Sequence, residues 1–172
     1  FGFYYTPENF LINIFLPIFC ILVFINAFNF TDGINGLASL MGISWLVYLG
    51  IKYTFLINMY LLFFIFLSLF LIMNLKNKMY LGDSGNYIIS LIVGYLLIII
   101  NKNIPYSIYI EEILLLLLIP GLDLIRLFFK RIKNKKNPFE GDNHHLHHYL
   151  IKNLGLNKTL FLYLVLINFP IY

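Results

Sequence analysis

"NAFNFTDGINGLASL" occupies Asn26 to Leu40. Almost wholly apolar sequence lies on both sides of it. An aspartate and three asparagines between two apolar segments define a polar edge between two membrane-crossing helices. The stretches "YLGDSGNY" (Tyr80 to Tyr87) and "GDNHHLHHYL" (Gly141 to Leu150) repeat the pattern. The chain of 172 residues is 60% hydrophobic, 19% aromatic and 12% charged, and its mean hydropathy is +0.84. Soluble domains carry about 25% charged residues. This composition points to an integral membrane protein and away from a soluble core.

Apolar runs cover about Phe10 to Phe28, Leu37 to Ile51, Thr54 to Met73, Tyr87 to Ile100 and Ile108 to Phe129, and another begins near Leu160. A helical span needs roughly 17–25 residues, so the second and fourth must borrow their flanks or tilt. Backbone groups in lipid must be paired internally, which makes these runs helices. The expected fold is all-α: a polytopic helical bundle in the membrane, with about five complete spans, a truncated sixth and a cytoplasmic-facing active site. It is read as one membrane domain over residues 1–172, a piece of a longer protein: the chain has no initiator Met and no secretory leader, and its last apolar run is cut short. The single Cys20 excludes an intrachain disulfide.

Two spans separate Asp32 from Asp83, and two more separate Asp83 from the histidines. All three polar stretches therefore lie on one side. With them lie Lys76, Lys78, Arg126, Lys130, Arg131, Lys133, Lys135, Lys136, Lys152 and Lys158, against Lys52 and Lys102 opposite, where Glu111 and Glu112 also fall. The positive-inside rule places the polar stretches in the cytoplasm. The net charge of +4 thus speaks for topology rather than for nucleic acid.

Ionisable groups at the membrane edge are candidates for function. Asp32 and Asp83 also suit helix N-caps, which is the plainer explanation for each alone. Both stand beside glycines and ahead of a helix, where backbone N–H groups attract anions. A carboxylate there tolerates a phosphate when a divalent cation lies between them, and Mg²⁺ takes one or two carboxylates plus substrate oxygens. His144, His145, His147 and His148, preceded by Asp142, allow three readings: a transition-metal site, a phosphate-binding and acid–base loop, or a solvated run. Asp123 and Arg126 lie one turn apart and can pair. Lys133, Lys135 and Lys136 read as a stop-transfer cluster. Together these features describe an enzyme at the membrane surface acting on phosphate-bearing substrates, one of them a lipid.

Three blocks carry a resemblance. "NAFNFTDGINGLA" looks like N-x-x-N-x-x-D-G-x-D-G-L-A, "NLKNKMYLGDSGNY" like N…F-x-G-D-[ST]-G-S, and "PGLDLIRLFFKRI…NPFEGDNHHLHHYL" like P-x-x-D-x-x-R…R…P-F…D-x-x-H-x-H-H-x-L. In this the chain resembles the polyprenyl-phosphate N-acetylhexosamine-1-phosphate transferases, of the glycosyltransferase family 4 type. The superfamily includes the phospho-N-acetylmuramoyl-pentapeptide translocases. The interrupted block His145-Leu146-His147-His148 is similar to the branch that opens O-antigen, enterobacterial common antigen and teichoic acid synthesis.

The resemblance implies transfer of N-acetylhexosamine-1-phosphate from a UDP-sugar to undecaprenyl phosphate, with release of UMP, in the bacterial cytoplasmic membrane. It implies Mg²⁺, with Mn²⁺ as a substitute. UDP-GlcNAc is the default donor, with FucNAc, QuiNAc and GalNAc donors open. Asp83 matches the Mg²⁺-binding aspartate and Asp32 a second carboxylate of that site. Asn29, Asn35 and Asn74 match polar residues around the uridine, and Tyr80 an aromatic that stacks on uracil. His145, His147 and His148 match the loop that engages the diphosphate, and Arg126 is read as binding substrate with them. Asn35 departs from the second Asp of D-G-x-D-G, and Asn86 stands where Ser is common. The family's Asp-Asp motif belongs upstream of the first block, so the chain alone is expected to be catalytically incomplete. A homodimer stays open. Two other classes are weighed: a non-catalytic homologue or membrane subunit, and a transporter of metal or anions with a histidine loop. The transporter predicts polar residues at mid-span, whereas here they gather at one edge.

Overall fold

A computed structural model describes residues 10–104, 110–135, 137 and 145–169. Asp142 and His144 lie outside them. The described residues form α1 (Phe10–Thr31), α2 (Leu37–Lys52), a 3-10 turn (Thr54–Leu56), α3 (Ile57–Leu75), α4 (Gly82–Asn103), α5 (Ile110–Leu116), α6 (Leu118–Lys133), α7 (Leu146–Leu154) and α8 (Leu156–Asn168). All secondary structure among the described residues is helical, as expected. Two stretches, Thr54–Leu75 and Gly82–Asn103, are long and apolar enough to cross a membrane by length and composition. Helix α1 has 22 residues. Helix α2, with 16 residues, is about 24 Å long, short of a membrane's hydrocarbon depth.

Helix α2 is the centre, touched by α1, α3, α4 and α8. Small residues on it, Ala38, Ser39, Gly42 and Ser44, are buried. In lipid, where apolar burial between helices drives little, small residues let backbones approach and pack. A Cβ at Gly42 would press on Ile89 and Leu67 at 3.2 and 3.3 Å. Trp45 takes Phe24 and Phe28 edge-on, with ring centroids 5.4 and 4.9 Å away. Helix α4 turns Ile89, Val93, Leu96 and Ile100 inward, at helical spacing, and Ile88, Leu91, Tyr95 and Ile98 outward. Helix α3 is almost wholly outward, with Leu61, Leu62, Ile65, Phe66, Leu69 and Ile72 exposed. An apolar groove of about 590 Å³ runs between α3 and α4, from Phe63 and Val93 up to Met79, Leu81 and Gly85.

Three expectations need correction. The fifth apolar run is not one straight helix. It is kinked at Leu117, between α5 and α6. Pro120 has no N–H to give and its ring crowds the carbonyl four residues back, that of Leu116, where α5 ends. Flanking bonds survive, Leu117 N–H to Ile113 O at 3.1 Å and Gly121 N–H to Leu117 O at 2.8 Å. Next, "GDSGN" does not precede its helix but forms its first turn, from Gly82. Finally, the helix that carries the last apolar run starts ahead of that run, at Leu156, directly after Gly155, whose φ of +75° divides α7 from α8.

At the bundle end away from Asp32, the Lys52 ammonium meets the Glu112 carboxylate at 2.6 Å. The Tyr48 hydroxyl donates to the same carboxylate at 3.2 Å. Two of the charges assigned to that side, Lys52 and Glu112, thus close on each other and tie α2 to α5.

Candidate active site

The loop after α1 and the first turn of α4 meet. Asn86, one turn beyond Asp83, donates from Nδ2 to Asp32 Oδ2 at 3.0 Å and approaches Asn29 Oδ1 at 3.5 Å. The Gly82 backbone N–H also donates to the Asp32 carboxylate. Burial pushes the Asp32 carboxyl above its ordinary pKa. The Asn86 and Gly82 donors oppose the shift, and the negative charge of Asp83 adds to it. Neither aspartate caps a helix: α2 has Gly36 at its N-cap and α4 has Leu81, both without a side-chain cap bond. Capping therefore does not explain either residue.

A second strut holds the loop from below. Asn74 is buried at the end of α3; it accepts from the Gly36 N–H through Oδ1 and donates to Met79 O at 2.8 Å. Asn35 donates to Asn77 Oδ1. Asn77 sits at φ +57°, and Lys78 N–H bonds Met73 O at 2.9 Å while Asn77 N–H bonds Asn74 O at 3.0 Å. This is a Schellman stop with asparagine in the left-handed position. Gly36, at φ +90°, has no room for a side chain beside Leu75. Both polar ends of Asn74 are thus spent on backbone, which makes it a strut of the pocket wall. Tyr80, by contrast, is 72% exposed and open to a planar ligand.

The histidines arrive from the other side. His145 Nδ1 donates to Asp123 Oδ2 at 3.0 Å. Arg126 donates to Asp123 Oδ1 from Nε at 3.0 Å and from Nη2 at 2.7 Å, so the expected pair forms and also takes a histidine. His145 and His147 lie parallel, with centroids 5.4 Å apart, and His148 follows His147 at 4.2 Å. Phe30, from the end of α1, lies against His145 at 5.6 Å. The His147 ring fills the space over Gly33, where a Cβ would collide with Nε2. His147 is 1% exposed and neither ring nitrogen has a hydrogen-bond partner. Burial, reinforced by His148 and His145, lowers its pKa from 6.5 to about 3. Among the described residues no three His, Cys, Asp or Glu side chains gather to hold a metal, so the described histidines form no transition-metal cage.

Asp32, Asn29, Asp83, His145, His147 and His148 therefore come together at one end of the bundle, with Asn35, Asn74 and Tyr80 on the adjoining turn. Arg126 is brought in through Asp123. Two site residues escape the sequence reading. Asn86 reads as a mild departure, although its position three after Asp83 puts both on one helical face. Asp123 reads as a partner of Arg126 alone, because nothing local announces a bond to His145, 22 residues away.

Residues 2–101 match a model described as "Glycosyl transferase family 4". The chain belongs to this family. Among curated proteins, the family member is 31% identical over 160 residues to an undecaprenyl-phosphate alpha-N-acetylglucosaminyl 1-phosphate transferase of Thermotoga maritima, covering 90% of this chain and 49% of that one. The protein of the same name from Escherichia coli K12 is 27% identical over 165 residues, covering 88% and 44%. That of Yersinia pestis is 26% identical over 163 residues, with the same coverage. The chain thus spans about half the length of the curated relatives it matches. No solved structure matches it.

Proposed function

We propose that this family 4 member is part of an enzyme that transfers N-acetylhexosamine-1-phosphate, from UDP-GlcNAc by default, to undecaprenyl phosphate. The observation that carries the reading is the closure of His147 over Gly33, beside Asp32. It joins a carboxylate pair to three histidines at one membrane edge, and neither a subunit nor a transporter accounts for that juncture. The relatives' printed name supplies the lipid acceptor and the sugar.

In the reaction, a phosphate oxygen of the lipid bonds to the β-phosphorus of the UDP-sugar. The bond from that phosphorus to the bridging oxygen breaks, and UMP leaves with the electron pair. Asp32 and Asp83 suit Mg²⁺: both offer hard oxygens, Asp83 lies close enough to disfavour the charge on Asp32, and Asn86 holds Asp32 in place while its own Oδ1 is buried without a partner. When bound, Mg²⁺ would neutralise charge on the diphosphate. His145, with Nδ1 bonded to Asp123, offers Nε2 as the acceptor of a proton from the lipid phosphate. Tyr80 offers a face for the uracil. The isoprenoid tail fits the groove between α3 and α4, whose upper end stops at Gly85, beside Asp83. Lys76 and Lys78, exposed on the turn above the groove, attract the lipid phosphate. On this reading the site faces the cytoplasm, which the excess of Lys and Arg on its side supports, and the reaction is the first membrane step of a surface polysaccharide of O-antigen or teichoic type.

The test uses membranes carrying the full-length protein, radiolabelled UDP-GlcNAc, undecaprenyl phosphate and Mg²⁺. Label should pass to extractable lipid, and EDTA or Asp83→Asn should abolish the transfer. UMP release from a different UDP-N-acetylhexosamine would keep the reaction and change the sugar. Folded protein that turns over none of them would sink the proposal.

A further inference from the structure

We infer that Asp123 is the positioning residue of the histidine loop: its carboxylate fixes the tautomer and orientation of His145 and seats the first turn of α7. The inference rests on the transferase reading for its consequence in catalysis, but its geometry stands alone.

Asp123 is buried in α6. Its two oxygens receive His145 Nδ1 at 3.0 Å, Arg126 Nε and Nη2 at 3.0 and 2.7 Å, and the Leu146 backbone N–H at 3.1 Å from each oxygen. A carboxylate has about four lone-pair sites, so it is saturated. An ionised carboxylate only accepts, so Nδ1 of His145 must carry a proton. Nε2 then carries the lone pair, has no hydrogen-bond partner among the described residues, and can take a proton from the lipid phosphate. Parallel stacking on His147 and the contact with Phe30 keep the ring from turning. Outer carboxylates orient working histidines in this way on many folds.

The Leu146 N–H is the first of α7, and such N–H groups lack partners within their own helix. His145, at the N-cap, makes no side-chain cap bond. Asp123 supplies the missing acceptor from another helix, and a negative group there is favoured by the helix dipole. One side chain thus sets both the ring of His145 and the start of the helix that carries His147 and His148.

Asp123→Asn conserves volume and separates positioning from mere packing. The amide N–H₂ would donate to Nδ1 and drive the His145 proton to Nε2. The experiment is ¹⁵N NMR of histidine-labelled full-length protein in nanodiscs, with His145→Gln assigning the signal. The wild type should show the Nδ1–H form and Asp123→Asn the Nε2–H form. In turnover, Asp123→Asn should lower kcat by about 10²–10⁴-fold, the scale of an acid–base group lost from its working state, with KM for the UDP-sugar little changed. In the His145→Gln background the same change should cost far less in kcat, because the remaining amide oxygen can still accept from the Leu146 N–H and only the seat of α7 is weakened. A wild-type His145 protonated on Nε2, an unaltered tautomer in Asp123→Asn, or an equal loss without His145 would each overturn the inference. Where Asp123→Asn does not fold, the wild-type spectrum decides. The Nδ1–H form in a protein without transferase turnover would sink the transferase reading and leave the positioning role standing.

Discussion

At the scale of single residues, the closest coupling in the site is that of Gly33 with His147. The φ of Gly33 is not in the left-handed region, so a methyl there meets no backbone obstacle, only the imidazole. Gly33→Ala should destabilise the protein by about 1–3 kcal/mol, the usual range for overpacking. Adding His147→Ala should recover part of that loss, so that the double variant melts higher than the sum of the two single changes. Additive melting shifts would refute the contact. His147 also sets a pH dependence. Its folded pKa of about 3 lies below its ordinary 6.5, so the native state resists the proton. The stability it contributes is complete above about pH 6.5 and falls by about 1.4 kcal/mol per pH unit as pH drops toward 3. His145, His148 and Asp123 surround it, and His148 and His145 act in the same direction. Replacing His147 with Phe should flatten the melting curve over that window, as read by thermal unfolding in detergent. In the sequence, both residues were visible as members of polar stretches. Their contact was not, since 114 positions separate them and no local pattern encodes a ring resting on a glycine.

At the scale of elements, the proline in α6 shapes the site. Apolar composition correctly marks residues 108–129 as helical, but composition cannot show a bend. Pro120 itself was in the sequence, and its missing N–H accounts for the kink. Pro120→Ala would let the carbonyl of Leu116 regain its partner and straighten α5 into α6. Helix propensity favours Ala over Pro by about 3 kcal/mol, so the variant should be no less stable by thermal unfolding. Its transfer activity should fall, because straightening carries Asp123 away from His145. Full activity in Pro120→Ala would show that the bend does not serve the site. The boundary of α4 teaches a similar lesson. Asp83 and its glycines read as a loop because glycine disfavours helix interiors, yet contacts with α1 draw the helix back to Gly82.

At the scale of the whole molecule, the alternation of apolar runs made legible which polar stretches share an end of the bundle. Asp32, Asp83 and the histidines do meet, and Lys52 and Glu112 meet at the other end. What sequence alone left open was how a 16-residue helix sits in a bilayer. In the structure α2 packs against α1, α3, α4 and α8, and most of its residues are buried against protein. The lone Cys20 makes the sidedness testable: in a Cys20→Ser background, cysteines introduced at Asn77 and Lys135 should react with an impermeant maleimide from the same side, and one at Asn103 from the opposite side. Labelling of all three from one side would overturn the topology.

The pinning of α5 by Lys52 and Tyr48 has a mechanical consequence. Helix α5 is anchored to the centre of the bundle at its far end, while α6 beyond Pro120 carries the carboxylate from which the histidine helix hangs. The bend at Leu117 lies between these two attachments. The ion pair at one end of the bundle and the histidine loop at the other therefore share one bent stretch of chain, so that loosening α5 by Lys52→Ala should be felt at His145 through Asp123, without changing any group near the phosphates.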